Sequence, residues 1–195
     1  GVRTALFNYL FARRSGGKFL LRVEDTDKKR STDEAIQVIF DGLSWLGMTA
    51  DEDVVFQSQR QDAHREAGEK LLANGAAYRC FCTLEQIAER REIAQREKNE
   101  YKYDRRCLHL SDKEIESNID NEMPFAVRLK VPGELISFDD LVHDRISTSG
   151  MEIEDFILLR SNGNPTYMLA VVVDDAAMGI THVIRGEDHL SNTSK

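Results

Sequence analysis

Apolar residues recur along this chain at two different periods, and the switch between them divides it. In "RTALFNYLFARRS" (3–15), Leu6, Leu10 and the neighbouring aromatics fall at helical spacing, and Gly16-Gly17 ends the pattern. "KFLLRVE" (18–24) is a short apolar run with a charged exit, which predicts a buried strand. Ser31 and Glu34 form a capping box opening a second helix, whose stripe is Ile36, Ile39/Phe40, Leu43 and Leu46 and whose end is Gly47. "RQDAHREAGEKLLANG" puts Ala63, Ala67 and Leu71 on one face of a third helix, with Gly75 beyond its end. Helix, strand, helix, helix is an α/β opening.

The middle of the chain has a different character. Thr83 with Gln86 caps a highly charged helix reaching about Lys98, and Ser111 with Glu114 caps a shorter one. Strand patterns follow at "FAVRLKV" (125–131), "ISFDDLV" (136–142) and "EDFILLRS" (153–160). The turn "SNGNP" then leads into "TYMLAVVVDD" (166–175), and Asn-Gly between two such runs predicts a hairpin. "ITHVIRGEDH" (180–189) returns to a short apolar strand, a polar turn and a helix start. The expected organisation is an α/β segment 1–77, an inserted module of mixed character 78–165, and a resumed α/β segment 166–195. No internal repeat or low-complexity stretch interrupts it.

Composition narrows the class without naming it. The 195 residues are 41% hydrophobic and 31% charged, an ordinary globular balance. No apolar run reaches the roughly 18 residues of a membrane span. Three cysteines, an odd number, argue against a disulfide framework and for a reducing compartment. The first 23 residues carry Arg3, Arg13, Arg14, Lys18 and Arg22 with no acid, which superficially resembles an organelle transit peptide. The core-like run that follows speaks against that reading. The net charge of −8 is uneven: residues 1–30 hold eight Lys/Arg against three acids, and 79–109 hold eight against six. Local basic patches can meet phosphates on a protein whose total is negative, though from charge alone both read as solvated helix faces.

Two groups of residues carry candidate chemistry. "YRCFC" and "RRCLHL" together read C-x-C-x24-C-x-H through Cys80, Cys82, Cys107 and His109. Thiolate and imidazole are zinc's preferred protein ligands, a structural site wants four, and a small polar excursion gains stability from such a clip. Tyr103, four residues before Cys107, is the alternative fourth ligand. The second group lies at predicted strand ends, where open α/β sheets bind ligands. Glu24 leaves the first strand, Tyr167 begins "TYMLAVVVDD", and Arg185 ends "HVIR". A carboxylate, a phenol and a guanidinium converging on one cleft suit a small zwitterion. The plainer alternative for Arg185 is a surface ion pair with Glu187 or Asp188. His182, Asp188 and His189 offer a weaker imitation of a metallohydrolase site.

"GVRTALFNYLFARRSGGKFLLRVEDTDKKRST", "FDGLSWLGM", "YRCFC", "FDDLV" and "NPTYMLAVVVDDAAMGITHVIRGEDHLSNT" together resemble the bacterial-type glutamyl-tRNA synthetases, a family of class I aminoacyl-tRNA synthetases. The resemblance covers essentially the whole chain, and its long last segment is its most specific part. It implies a Rossmann-type catalytic domain interrupted by an acceptor-stem-binding insertion with a zinc site. It further implies that L-glutamate and ATP with Mg2+ form glutamyl-adenylate, and that the glutamyl group then passes to tRNA(Glu). By the same likeness Glu24 holds the substrate's ammonium, Tyr167 and Arg185 line the glutamate pocket, and Asp188 contacts ATP, with Glu187 as its neighbouring candidate. Val171 stands where some members carry a polar amide. A cytoplasmic enzyme (mitochondrial matrix for a eukaryotic source), monomeric at full length, is expected.

The resemblance also places Gly1 at the last glycine of the family's H-x-G-type signature and the lysine-bearing loop beyond Lys195. Class I activation depends on positioning and on cations that stabilise phosphoryl charge. Without those two motifs the 195 residues alone are expected to be inactive, or nearly so. Two rivals stand beside this reading. One is a paralogue that glutamylates a modified tRNA base, whose zinc spacing is usually shorter than x24. The other is a non-catalytic tRNA- or zinc-binding module.

Overall fold

A computed structural model describes residues 2–26 and 32–195, and the chain groups into two compact units, 1–61 with 172–193 and 62–171 with 194–195. This places the third helix with the middle of the chain rather than with the expected segment 1–77. In the first unit α1 (Val2–Arg14) leads to β1 (Arg22–Val23), α2 (Asp33–Trp45) and β2 (Val55–Phe56). The two short strands are parallel, with Arg22 opposite Val55 and Val23 opposite Phe56. The ladder continues through Asp51 N to Phe19 O and Val55 N to Leu21 O, so the predicted run 18–24 is extended although only two residues pair as a strand. Phe19, Leu43 and Met48 form the core, with Ala5, Tyr9, Ala12 and Leu21 packed against them.

Thr32 caps α2 by accepting from Ala35 N, while the Ser31 position of the expected capping box lies outside the described residues. Gly47 follows the helix at φ +69, the left-handed turn that a residue without Cβ adopts freely. The predicted stripe is covered only in part: Leu43 is buried, but Ile39 remains 60% exposed.

The second unit contains α3 (Gln61–Ala73), β3 (Ala77–Cys80), α4 (Leu84–Arg96), α5 (Asp112–Asp120), β4 (Ala126–Leu129), β5 (Leu135–Asp140), β6 (Asp144–Ser149) and β7 (Ile157–Leu159). The predicted capping boxes at Thr83/Gln86 and Ser111/Glu114 are both closed, each side chain bonding the other residue's backbone. Strands β3, β4 and β7 form one antiparallel sheet in that order, and β5 and β6 a separate hairpin. Helix α3 approaches β7 closely, since a Cβ on Gly68 would fall 2.5 Å from Leu159 Cδ1.

Two sequence expectations are corrected. Residues 166–175 do not form the second strand of a hairpin. The turn closes, with Arg160 N bonding Asn164 O and a single bridge pairing Leu159 with Pro165, and the chain then enters α6 (Tyr167–Ala177). Leu169, Ala170 and Asp174 are buried at helical spacing, which outweighs the strand preference of Val171, Val172 and Val173. Residues 180–185 form no strand either, and 187–192 make a 3-10 turn.

Candidate functional site

The cysteines gather where β3 ends. Cys80 closes the strand, Cys82 lies in the link to α4, and Cys107 sits in a 3-10 turn, Arg106–His109. Their three sulfurs lie within 4.8 Å of one another, and among the described residues they are the single group of three or more His, Cys, Asp or Glu able to hold a metal ion. Cys82 Sγ is 3.6 Å from Cys107 Sγ. The Tyr103 hydroxyl points into this triangle, lying 3.2 Å from Cys80 Sγ and 3.5 Å from Cys82 Sγ and accepting from Cys107 N at 3.4 Å. Tyr78, Cys80, Tyr103 and Cys107 form one buried cluster, with Cys82, Ile87, Leu108 and Leu110 around it.

His109 stands apart from the sulfur group and is exposed. On an extended segment Cys107 and His109, two residues apart, would share a face. In a 3-10 turn each residue advances about 120°, so residues two apart diverge. Tyr103, rather than His109, therefore lies beside the three sulfurs.

Charge within the cluster is uneven. The Cys80 thiol is pulled from 9.0 down to about 4, chiefly by its hydrogen bond with Cys107, with Tyr103 and Arg128 adding to the pull against burial. That bond pushes the Cys107 thiol up, and burial pushes up the Tyr103 phenol. One sulfur is thus favoured as an anion, the species a metal ion binds.

Sequence patterning gave little hint of what surrounds the cluster. Asp155 is fully buried and accepts from Tyr78 Oη at 2.8 Å, Arg105 Nη2 at 2.7 Å and Val131 N at 3.0 Å. Its carbonyl accepts from Arg128 Nη1 at 2.7 Å. Arg128 lies over the Tyr103 ring, 3.9 Å from its centroid. The one available sign was an arginine in the centre of the apolar run "FAVRLKV".

Of the residues at predicted strand ends, Glu24 is exposed just past β1, where Arg22 Nη2 reaches it at 3.5 Å while Arg22 Nη1 bonds Asp175 at 2.6 Å. Arg185 belongs to the same compact unit. Its Nη2 donates to Thr193 Oγ1 at 2.6 Å. The segment carrying it is anchored by Asn8, whose amide donates to Ile184 O and Thr4 O, both at 2.9 Å. Asp188 is exposed, with His189 Nε2 at 3.5 Å, whereas the His182 ring lies against Phe11. His182, Asp188 and His189 thus do not assemble as a metal group. Tyr167 opens α6 in the other compact unit and is 42% exposed.

Residues 1–195 match the family described as tRNA synthetases class I (E and Q), catalytic domain. A glutamate–tRNA ligase of Coprothermobacter proteolyticus is 50% identical over 197 residues, covering 100% of this chain and 42% of the relative. The corresponding protein of Acidiphilium cryptum, glutamate–tRNA ligase 1, is 53% identical over 195 residues, covering 99% and 41%. A crystal structure of a glutamate tRNA ligase from Elizabethkingia meningosepticum, in complex with its amino acid, superposes with a TM-score of 0.92 at 33% identity, over 99% of this chain and 42% of that one. The chain thus spans about two fifths of the length of these relatives. The α/β class I synthetase fold expected from the sequence is the one observed, and the chain belongs to the catalytic-domain family of class I tRNA synthetases (E and Q).

Proposed function

We propose that the chain is the glutamate-activating part of a glutamate–tRNA ligase. The observation that carries this reading is likeness along the whole chain, at 50% identity, to a relative of that name. Glutamate's α-carboxylate attacks the α-phosphorus of ATP, a P–O bond forms and pyrophosphate leaves. A hydroxyl of the tRNA's terminal adenosine then takes the glutamyl group and AMP departs. Mg2+, arriving with ATP, neutralises phosphate charge.

In this scheme Glu24 takes the substrate's ammonium, Arg185 meets a substrate carboxylate and Asp188 meets ATP, while Tyr167 keeps the glutamate-binding role that the family resemblance gives it. Exposure of Glu24 suits a group that must accept a ligand. Its bond to Thr193 uses one of the five N–H donors of the Arg185 guanidinium, and a fork onto a carboxylate requires two. Glutamine would offer an amide to that fork and leave the positive charge unpaired, a penalty that discriminates better than shape does.

Three gathered sulfurs match zinc's donor preferences, and the Tyr103 oxygen beside them offers a fourth donor atom. Cys80, Cys82, Cys107 and Tyr103 would hold the ion, which supplies a structural clip across the 24 residues between Cys82 and Cys107. The test of function is exchange of labelled pyrophosphate into ATP by the full-length gene product, with and without tRNA. Exchange that requires glutamate is expected. Its absence under both conditions would sink the enzyme reading.

A further inference from the structure

Arg128 is a charged side chain that the zinc reading does not use, and its surroundings make it unusual. It is only 6% exposed, although arginine is rarely buried without a close partner. Nη1 bonds the Asp155 carbonyl, a neutral acceptor, and the Glu154 carboxylate lies 4.0 Å away. Nε is buried with no hydrogen-bond partner. The Asp155 carboxylate is occupied by Arg105, Tyr78 and Val131. What Arg128 does face is the cluster: the Tyr103 ring lies beneath it at 3.9 Å, and Cys80 is its sulfur neighbour.

The backbone aims it there. The β4–β7 ladder shifts register between Val127 and Arg128, and such an irregularity turns a side chain away from its regular face. Both residues are consequently buried, where strict alternation would expose one. Across β3 the partner of Arg128 is Tyr78, whose hydroxyl is fixed by Asp155.

We propose that Arg128 is the positioning residue and counter-charge of this metal centre, balancing the surplus negative charge of three thiolates on one divalent ion and holding the Tyr103 ring with its hydroxyl toward the sulfurs. Three thiolates around a doubly charged cation leave one negative charge, and a single guanidinium cancels it. Burial makes that cancellation matter, because an unbalanced charge away from water is costly. The inference rests on the zinc reading above.

The experiment measures zinc affinity of the 195-residue chain by competition with a chromophoric chelator, with thermal melting of the zinc-loaded forms alongside. Wild type is expected to bind one zinc. Arg128→Met, similar in bulk and uncharged, should bind about 10- to 100-fold more weakly, the scale of outer-shell losses. Arg128→Lys should recover to within about fivefold of wild type, a margin below that range. Cobalt in place of zinc should show a shifted visible band in Arg128→Met and not in Arg128→Lys. Equal affinities in all three proteins, or equal weakening in both variants, would overturn the proposal. Should Arg128→Met fail to fold, Arg128→Lys decides alone: near-wild-type affinity upholds the counter-charge, and tenfold loss or failure to fold overturns it. A wild type that takes up no zinc removes the zinc reading itself, before any variant is compared.

Discussion

Asp155 and Glu24 are both carboxylates, yet one is fully buried and meets three donors, while the other is exposed and meets a single arginine at 3.5 Å. The same contrast separates their surroundings. Around the cysteines, Arg105 and Tyr78 are spent on protein partners in a closed network. Along the segment 182–189, Arg185 has a hydroxyl and Asp188 a neighbouring histidine, both exposed contacts. A satisfied network resists change and costs stability when broken. Weakly partnered charges contribute little to stability and remain free to change partners when a ligand arrives. Mutation should therefore separate the two regions, with stability lost in one and substrate affinity in the other.

The largest effect is expected at Asp155→Ala. It strands the Tyr78 hydroxyl and Val131 N away from water and takes the carboxylate from Arg105, which keeps its bond to Val131 O. Removing one member of a buried pair costs about 3–5 kcal/mol, and the lower end applies because Arg105 is 37% exposed and can turn to solvent. Urea unfolding followed by circular dichroism measures it. A loss below about 1 kcal/mol, the worth of one ordinary hydrogen bond, would mean that the network is not the brace described here.

Arg185→Ala should do the reverse. Stability should stay within about 0.5 kcal/mol of wild type, as for a surface substitution. In the full-length enzyme the KM for glutamate should rise roughly 100-fold, or about 2.7 kcal/mol of lost substrate binding. If the variant unfolds, or if KM is unchanged, Arg185 belongs with the structural residues and the contrast fails.

How far the sequence exposes each region follows from the range of the interactions that build it. The caps at Thr83 and Ser111 were legible because donor and acceptor lie three residues apart. The sulfur cluster was legible because all three cysteines of the chain lie within 28 positions. Helix α6 was misread because its determinants are distant. Asp174 is held by Gln57 at 3.0 Å and Arg60 at 2.6 Å, partners more than a hundred residues away, while the local run of three valines and the Asn-Gly turn argue for a strand. Strand β6, "DRISTS", carries no apolar alternation to reveal it, and β2 is two residues long. Arg128 was missed because an arginine in a strand is expected to face water, and only a register shift set by β7 turns it inward.

The smallest of these effects concerns the fourth corner of the sulfur cluster, where sequence spacing offered both Tyr103 and His109. The phenol reaches two sulfurs within 3.5 Å, whereas the imidazole is exposed at the end of a turn that directs Cys107 inward. Tyr103→Phe removes one oxygen and keeps the ring on which Arg128 rests, so it tests the ligand without disturbing the stack. Zinc affinity should fall about tenfold in Tyr103→Phe, a step worth about 1.4 kcal/mol, and stay within about twofold in His109→Ala. Cobalt absorption adds a second reading, since replacing the phenol with water alters the ligand field and removing a distant imidazole does not. The opposite pattern, with His109→Ala losing metal and Tyr103→Phe retaining it, would mean that the turn at 106–109 rearranges when the ion binds. It would also give the C-x-C-x24-C-x-H spacing priority over the geometry of the cluster.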